Sequence, residues 1–122
     1  MIIAIDFDGT IVENKFPEIG TLLPKAKEVI NSLYDTGHYI IIWTCRCDLH
    51  LTSAVNFLLN NDIKFHRIND NEPTNTAKYN SNSRKVYAHM YIDDKNVGGF
   101  PGWNKCKEEI ERVEAEYNNL KK

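Results

Sequence analysis

Ile2-Ile3-Ala4-Ile5-Asp6-Phe7-Asp8-Gly9-Thr10 is a run of apolar residues that ends in two carboxylates one residue apart and then a glycine. A short unbroken apolar run reads as a strand buried on both faces, the habit of parallel sheets. Asp6 to Thr10 is then where the chain leaves the sheet, because acidic side chains and glycine suit a turn better than a ladder. Downstream the figure recurs. Ile40 to Trp43 is a second apolar run, ending in Thr44-Cys45-Arg46. Between the two runs, Leu22, Ala26, Val29, Ile30 and Leu33 fall at helical spacing, with Pro24 suited to the first turn and Gly37 to the stop. Leu51, Ala54, Val55, Leu58 and Leu59 write a second helix, and Ile63 to Ile68 reads as a third strand. Asn69 to Arg84, rich in Asn, Ser and Thr, reads as a surface loop with room for a short helical turn. Val86 to Ile92 is a fourth strand ending in Asp93-Asp94. Trp103, Cys106, Ile110, Val113, Tyr117 and Leu120 then mark one face of a last helix. Its charged stretch, Lys107 to Glu116, reads as a solvated face.

Strands alternating with helices predict an α/β fold: a three-layer Rossmann-like sandwich with a mainly parallel central sheet, joined by right-handed crossovers. In such sheets function sits beyond the carboxyl ends of the strands, which is where the polar groups of Asp6, Asp8, Thr44, Asp93 and Asp94 fall. With 122 residues the chain makes one domain, 1–122. Its 42% hydrophobic and 26% charged residues exclude disorder. A formal charge of −2 supplies no general field for nucleic acid or an anionic membrane. No export signal or membrane span is expected, because Met1 to Ile5 offers no basic n-region or apolar stretch of signal length and no run of about eighteen apolar residues occurs. Three cysteines, Cys45, Cys47 and Cys106, are an odd number, two of them a single residue apart, so a reduced, cytoplasmic setting is expected.

Two carboxylates as close as those of Asp6 and Asp8 repel unless a cation joins them. A hard divalent ion such as Mg²⁺ takes oxygen ligands, and Asp93 or Asp94 offers a further one. An aspartate beside such an ion can also be a nucleophile toward phosphorus, with its neighbour protonating the leaving oxygen and later activating water. The charge that builds on the phosphoryl oxygens needs fixed donors, which Thr44 and a lysine from the late loop can supply. A lone strand-end aspartate is more often a turn or cap residue; the ordered set is what points to chemistry.

That ordered set resembles the haloacid dehalogenase-like hydrolases, mostly Mg²⁺-dependent phosphatases. Asp6-Phe7-Asp8-Gly9-Thr10 is similar to their first motif, Thr44 in Ile41-Ile42-Trp43-Thr44-Cys45-Arg46 to the second, and Tyr91-Ile92-Asp93-Asp94 to the fourth. The resemblance implies Asp6 as nucleophile, Asp8 as general acid/base, Thr44 as phosphate donor, and Asp6, Asp8 (through its backbone carbonyl), Asp93 and Asp94 on the metal side. The third motif is a lysine. Lys85, directly before the fourth strand, is preferred over Lys78, farther back in the loop. Substrate contacts are expected from Thr44, Cys45, Arg46 and Lys85, although Arg46 can equally make a structural pair. The cap domains of the superfamily are inserted after the first motif or between the third strand and the lysine. Gly9 to Thr21 has room only for a short flap and Asn69 to Arg84 is equally brief, so the member is expected to be capless. An open site then suits a large substrate or cover by a neighbouring subunit in a homo-oligomer.

Phe16 and Trp103 are candidate apolar walls of the site, and Lys95 and Asn96 candidates to orient the acidic pair. Asn69 and Asp70 end the third strand on the same rim, where a turn role is favoured over a substrate contact. The histidines His38, His50, His66 and His89 have no zinc-site spacing and read as ordinary packed or edge residues. Two other readings compete. A response-regulator-like phosphoacceptor shares the sheet, the aspartates, Mg²⁺, the threonine and the lysine, but carries its acidic pair after the first strand and its phosphorylated aspartate after the third. A catalytically idle binding module would keep the residues without the activity. The substrate expected is a small phosphorylated molecule; sugar phosphate, nucleotide and polynucleotide end all stay open, the near-neutral charge mildly disfavouring the last.

Overall fold

The computed structural model describes residues 1–120. Among them, strands β1 (Ile2–Ile5), β2 (Tyr39–Ile42), β3 (Arg67–Ile68) and β4 (Met90–Ile92) alternate with helices α1 (Ala26–Asp35), α2 (Asp48–Asn60), α3 (Pro73–Tyr79) and α4 (Trp103–Leu120). The strands form one sheet in the order β3-β2-β1-β4, every pair parallel. The chain starts inside the sheet, steps outward through α1 and α2, then returns past β1 to place β4 on its other side. β1 therefore has its carboxyl end between those of β2 and β4, where sheets of this kind hold their ligands.

Strand alternation sorts the core. Ile3, Ile5, Ile40 and Ile42 pack against Ala26 and Ile30 of α1, Leu58 of α2, and Trp103 and Ile110 of α4. Each isoleucine buried in this way contributes about 1.5–3 kcal/mol. Ala4 and Ile41 point the other way, onto Val86 and Ala88. This second face has a thin cover, because the crossover from β3 to β4 has little apolar surface to bury. α3 buries none of its side chains, and Tyr79 stands 67% exposed. The helices with buried residues, α1, α2 and α4, share the first face, and the second is covered by the crossover through Val86 and Ala88.

Two strands are shorter than the sequence predicts. In place of Ile63 to Ile68, β3 is only Arg67–Ile68. Ile63 is held by Leu58 at the end of α2, and the His66 imidazole Nδ1 accepts the Ile40 N–H at 3.0 Å, taking the place of a strand carbonyl. In place of Val86 to Ile92, β4 is Met90–Ile92. His89 Nδ1 accepts the Ile2 N–H at 2.9 Å, and the Tyr91 hydroxyl curls the preceding chain by donating to the Val86 carbonyl at 2.7 Å and accepting from the Ala88 N–H at 3.1 Å. No helix among the described residues is long and apolar enough to cross a membrane.

Candidate active site

The Asp6 N–H donates to the Ile92 carbonyl at 2.9 Å, so β1 keeps its pairing with β4 one residue past the strand. That registers Asp6 beside Asp93 and Asp94. One carboxylate oxygen from each of the three lies within 4.8 Å of the others. Gly9 makes the approach possible. Its φ is +82°, and a Cβ there would meet Asp94 Oδ2 at 2.1 Å, so the loop can lie against Asp94 only without a side chain. Thr10 is buried, donates to Asp6 Oδ2 at 3.2 Å, and accepts from Trp103 Nε1 at 2.7 Å through its carbonyl. Trp103, expected as a wall of the site, is instead a core residue that anchors the loop carrying the aspartates.

The cluster is electrostatically crowded. Burial pushes the Asp6 carboxyl up to about 7, with the Asp93 charge and then Asp94 adding to the rise. Asp94 Oδ1 is a buried oxygen with no hydrogen-bond partner among the described residues. The Lys95 N–H donates to Asp93 Oδ1 at 2.8 Å, and its ammonium lies 3.6 Å from Asp94 Oδ2 but is 79% exposed, so its field is weakened by solvent. An all-oxygen set of converging carboxylates, one oxygen still unbonded, fits a hard divalent cation.

Asp8 does not join this group. Its carboxylate is gripped from both oxygens by Arg46, Nε to Oδ2 at 2.7 Å and Nη2 to Oδ1 at 2.8 Å. Arg46 is buried, and its remaining N–H groups donate to the carbonyls of Pro17 at 3.2 Å, His50 at 3.3 Å and Glu18 at 2.9 Å. Five guanidinium N–H groups thus meet five acceptors, the structural pair that the sequence offered beside a substrate contact. Thr44 is likewise half engaged. Its N–H goes to Asn69 Oδ1 at 2.8 Å while Asn69 Nδ2 returns to the Thr44 carbonyl at 2.8 Å, and its Oγ1 accepts from the Arg46 N–H at 3.1 Å. Only the hydroxyl proton of Thr44 is left to donate. Asn69 is a positioning partner of Thr44 that the sequence showed merely as a strand-end residue.

Asp6, Asp8, Thr44, Cys45, Arg46, Asp93 and Asp94 line one cleft of about 340 Å³, together with Asn14, Phe16 and Lys95. Phe16, on the flap, is 55% exposed as the expected apolar wall; Asn14 was not foreseen, and only its place in the short flap could have flagged it. Neither Lys85 nor Lys78 lines the cleft. The Lys85 ammonium stands 5.0 Å from the centre of the Tyr91 ring, and that of Lys78 rests over Tyr79 at 5.3 Å. Tyr91 pairs with Ala4, which shares a sheet face with Asp6. The Lys85 ammonium therefore lies against the face of the sheet that carries Asp6.

The model of the haloacid dehalogenase-like hydrolase family matches residues 3–100, a span that runs from β1 past β4 and holds every one of these site residues. A solved structure of a conserved protein from Bacteroides thetaiotaomicron is similar as well, 37% identical, covering 93% of this chain and 91% of its own, with a TM-score of 0.84. Among curated proteins none matches. With a family match over most of its length and the ordered motifs at the carboxyl rim of the sheet, the chain belongs to the haloacid dehalogenase-like hydrolase family.

Proposed function

We propose that the protein is a capless, Mg²⁺-dependent phosphohydrolase of small phosphate monoesters, at work in the cytoplasm. The observation that carries this reading is the convergence of Asp6, Asp93 and Asp94 on one point, with Asp6 pushed up to about 7 and an Asp94 oxygen buried without a partner. Membership of a hydrolase family supports the hydrolytic class. When bound by Asp6, Asp93 and Asp94, Mg²⁺ offsets the repulsion between carboxylates and phosphate and polarises the phosphoryl group. An Asp6 oxygen attacks phosphorus as the bond to the leaving oxygen breaks, and Asp8 gives that oxygen its proton. Asp8 then takes a proton from water, which attacks the aspartyl-phosphate, frees inorganic phosphate and returns Asp6 as carboxylate. The Thr44 hydroxyl donates to a phosphoryl oxygen throughout, and Lys85 swings up from Tyr91 to supply a cation. The cleft is left open for the leaving group or for cover by a second copy of the chain.

The test is phosphate release from p-nitrophenyl phosphate and a panel of sugar phosphates and nucleotides, with and without Mg²⁺. Asp6→Asn is expected to lower the rate by about 10³-fold or more. Undiminished activity in Asp6→Asn would overturn the nucleophile assignment. No release from any ester would favour a binding module.

A further inference from the structure

Arg46 is the most heavily bonded side chain of the cleft, and all five of its guanidinium N–H groups are taken by acceptors of the protein itself. Its fork takes both oxygens of Asp8, at 2.7 and 2.8 Å. Its other donors reach the flap carbonyls of Pro17 and Glu18, at 3.2 and 2.9 Å, and the His50 carbonyl of α2 at 3.3 Å. The rings of Phe7 and Phe16 flank the guanidinium carbon, 5.4 and 5.0 Å from their centroids. The group is only 3% exposed, so turning a donor toward a phosphate would strand a buried carbonyl or half of the Asp8 pair. Its backbone N–H, meanwhile, fixes one lone pair of the Thr44 hydroxyl at 3.1 Å.

We propose that Arg46 is the positioning residue of the acid/base group: it sets the Asp8 carboxylate against the cleft and ties it to the flap, without touching the substrate. This rests on the phosphohydrolase reading. A lysine could not replace it, because a point charge with a flexible stem lacks the planar fork that meets both Asp8 oxygens and three carbonyls together. The arrangement also makes Asp8 and the Phe16 flap one mechanical unit.

Two substrates separate this role from its rivals. An alkyl phosphate needs a proton on its leaving oxygen, whereas p-nitrophenyl phosphate releases a stable phenolate, so loss of a general acid falls mainly on the former. Asp8→Asn sets the scale: kcat/KM, which reports the first phosphoryl transfer and not the hydrolysis of the aspartyl-phosphate common to both esters, is expected to drop about 100-fold more on glycerol phosphate than on the aryl ester. Arg46→Lys and Arg46→Met should show the same skew in kcat/KM, with the inhibition constant of inorganic phosphate within about threefold of the parent's, and Arg46→Lys/Asp8→Asn should be no slower than Asp8→Asn alone. Equal loss of kcat/KM on both esters, an inhibition constant of inorganic phosphate raised more than about tenfold, or multiplying losses in the double variant would each overturn the proposal. Should the Arg46 variants fail to fold, hydrogen exchange decides. The amides of Asn14, Lys15, Phe16 and Glu18 should exchange faster in Asp8→Asn than in Asp6→Asn, and equal rates would overturn the unit. If Asp6→Asn keeps its activity, the phosphohydrolase reading itself falls; if Asp6→Asn is inactive but the skew is absent, only the positioning role does.

Discussion

At the amino ends of the strands a histidine stands directly ahead of each of β2, β3 and β4, namely His38, His66 and His89. Each is tied into the fold. His66 accepts the Ile40 N–H and lies stacked between Tyr34 and Tyr39, both at 4.4 Å. His89 accepts the Ile2 N–H with Tyr87 and Tyr117 edge-on, at 5.5 and 4.9 Å. His38 joins the terminal amine at 3.0 Å to Glu114 at 2.7 Å. At the carboxyl ends three carboxylates, those of Asp6, Asp93 and Asp94, crowd together with one oxygen unbonded. The same sheet therefore has one rim whose polar groups complete one another and one whose charges call for a ligand from outside. Stability is concentrated at the first and function at the second, an exchange that active sites commonly make.

The sharpest way to break this contrast is to fill the space that lets the upper rim crowd. Gly9→Ala would place a Cβ 2.1 Å from Asp94 Oδ2 at a φ of +82°, so either the loop or Asp94 must move. A loss of about 2–4 kcal/mol in chemical denaturation is expected, along with loss of any Mg²⁺-dependent activity. A Gly9→Ala protein within about 0.5 kcal/mol of the parent would show that the rim is not held under tension.

How far the two rims were legible in the sequence differs for the same physical reason. β1, α4 and the carboxylates could be read because a buried strand, a helical face and an acidic turn each leave a local pattern, and a parallel sheet brings strand ends together without further information. The true lengths of β3 and β4 could not. What shortens them is a bond from His66 to Ile40, 26 positions away, and one from His89 to Ile2, 87 away, and histidine has no local signature for either. Arg46 was ambiguous for a similar cause: it lies beside Thr44 in sequence, but three of its acceptors are backbone carbonyls, which any residue possesses. Lys85 was read from its place before the fourth strand, and the chain between it and Met90 is not strand, so that place says neither where its flexible stem runs nor what its ammonium meets.

A milder test acts on the lower rim. His66→Ala removes the acceptor of the Ile40 N–H and the ring between two tyrosines. Leaving that N–H unpaired is expected to cost about 1–3 kcal/mol, while kcat of the folded protein stays within about twofold. A larger fall in kcat at matched folding would join the two rims energetically and undo the division between them. Acid should act on the same place. Burial lowers the His66 pKa from its ordinary 6.5, so the imidazole stays a neutral acceptor in the fold and its contribution is lost as pH falls from 6.5 through the lowered value.

The smallest expected effect runs in the opposite direction with pH and belongs to Asp6. Its carboxyl stands at about 7 in the fold against an ordinary 3.8. Between those values the native protein holds a proton that the unfolded chain has released, so without divalent ion stability falls as pH rises from about 4 through about 7. The side chain is partly open to solvent, which reduces the formal shift to about 1 kcal/mol of destabilisation at alkaline pH. In a chelator at about pH 8, Asp6→Asn should accordingly be more stable than the parent by about that amount, and near pH 4 the difference should vanish. Mg²⁺ then reverses the order, because it stabilises the parent by mass action and finds one carboxylate fewer in Asp6→Asn. A variant that is catalytically dead yet more stable without metal, and less stable with it, is what a rim built for an outside cation requires; equal melting of the two proteins in chelator would mean that the crowding at Asp6 is relieved within the fold.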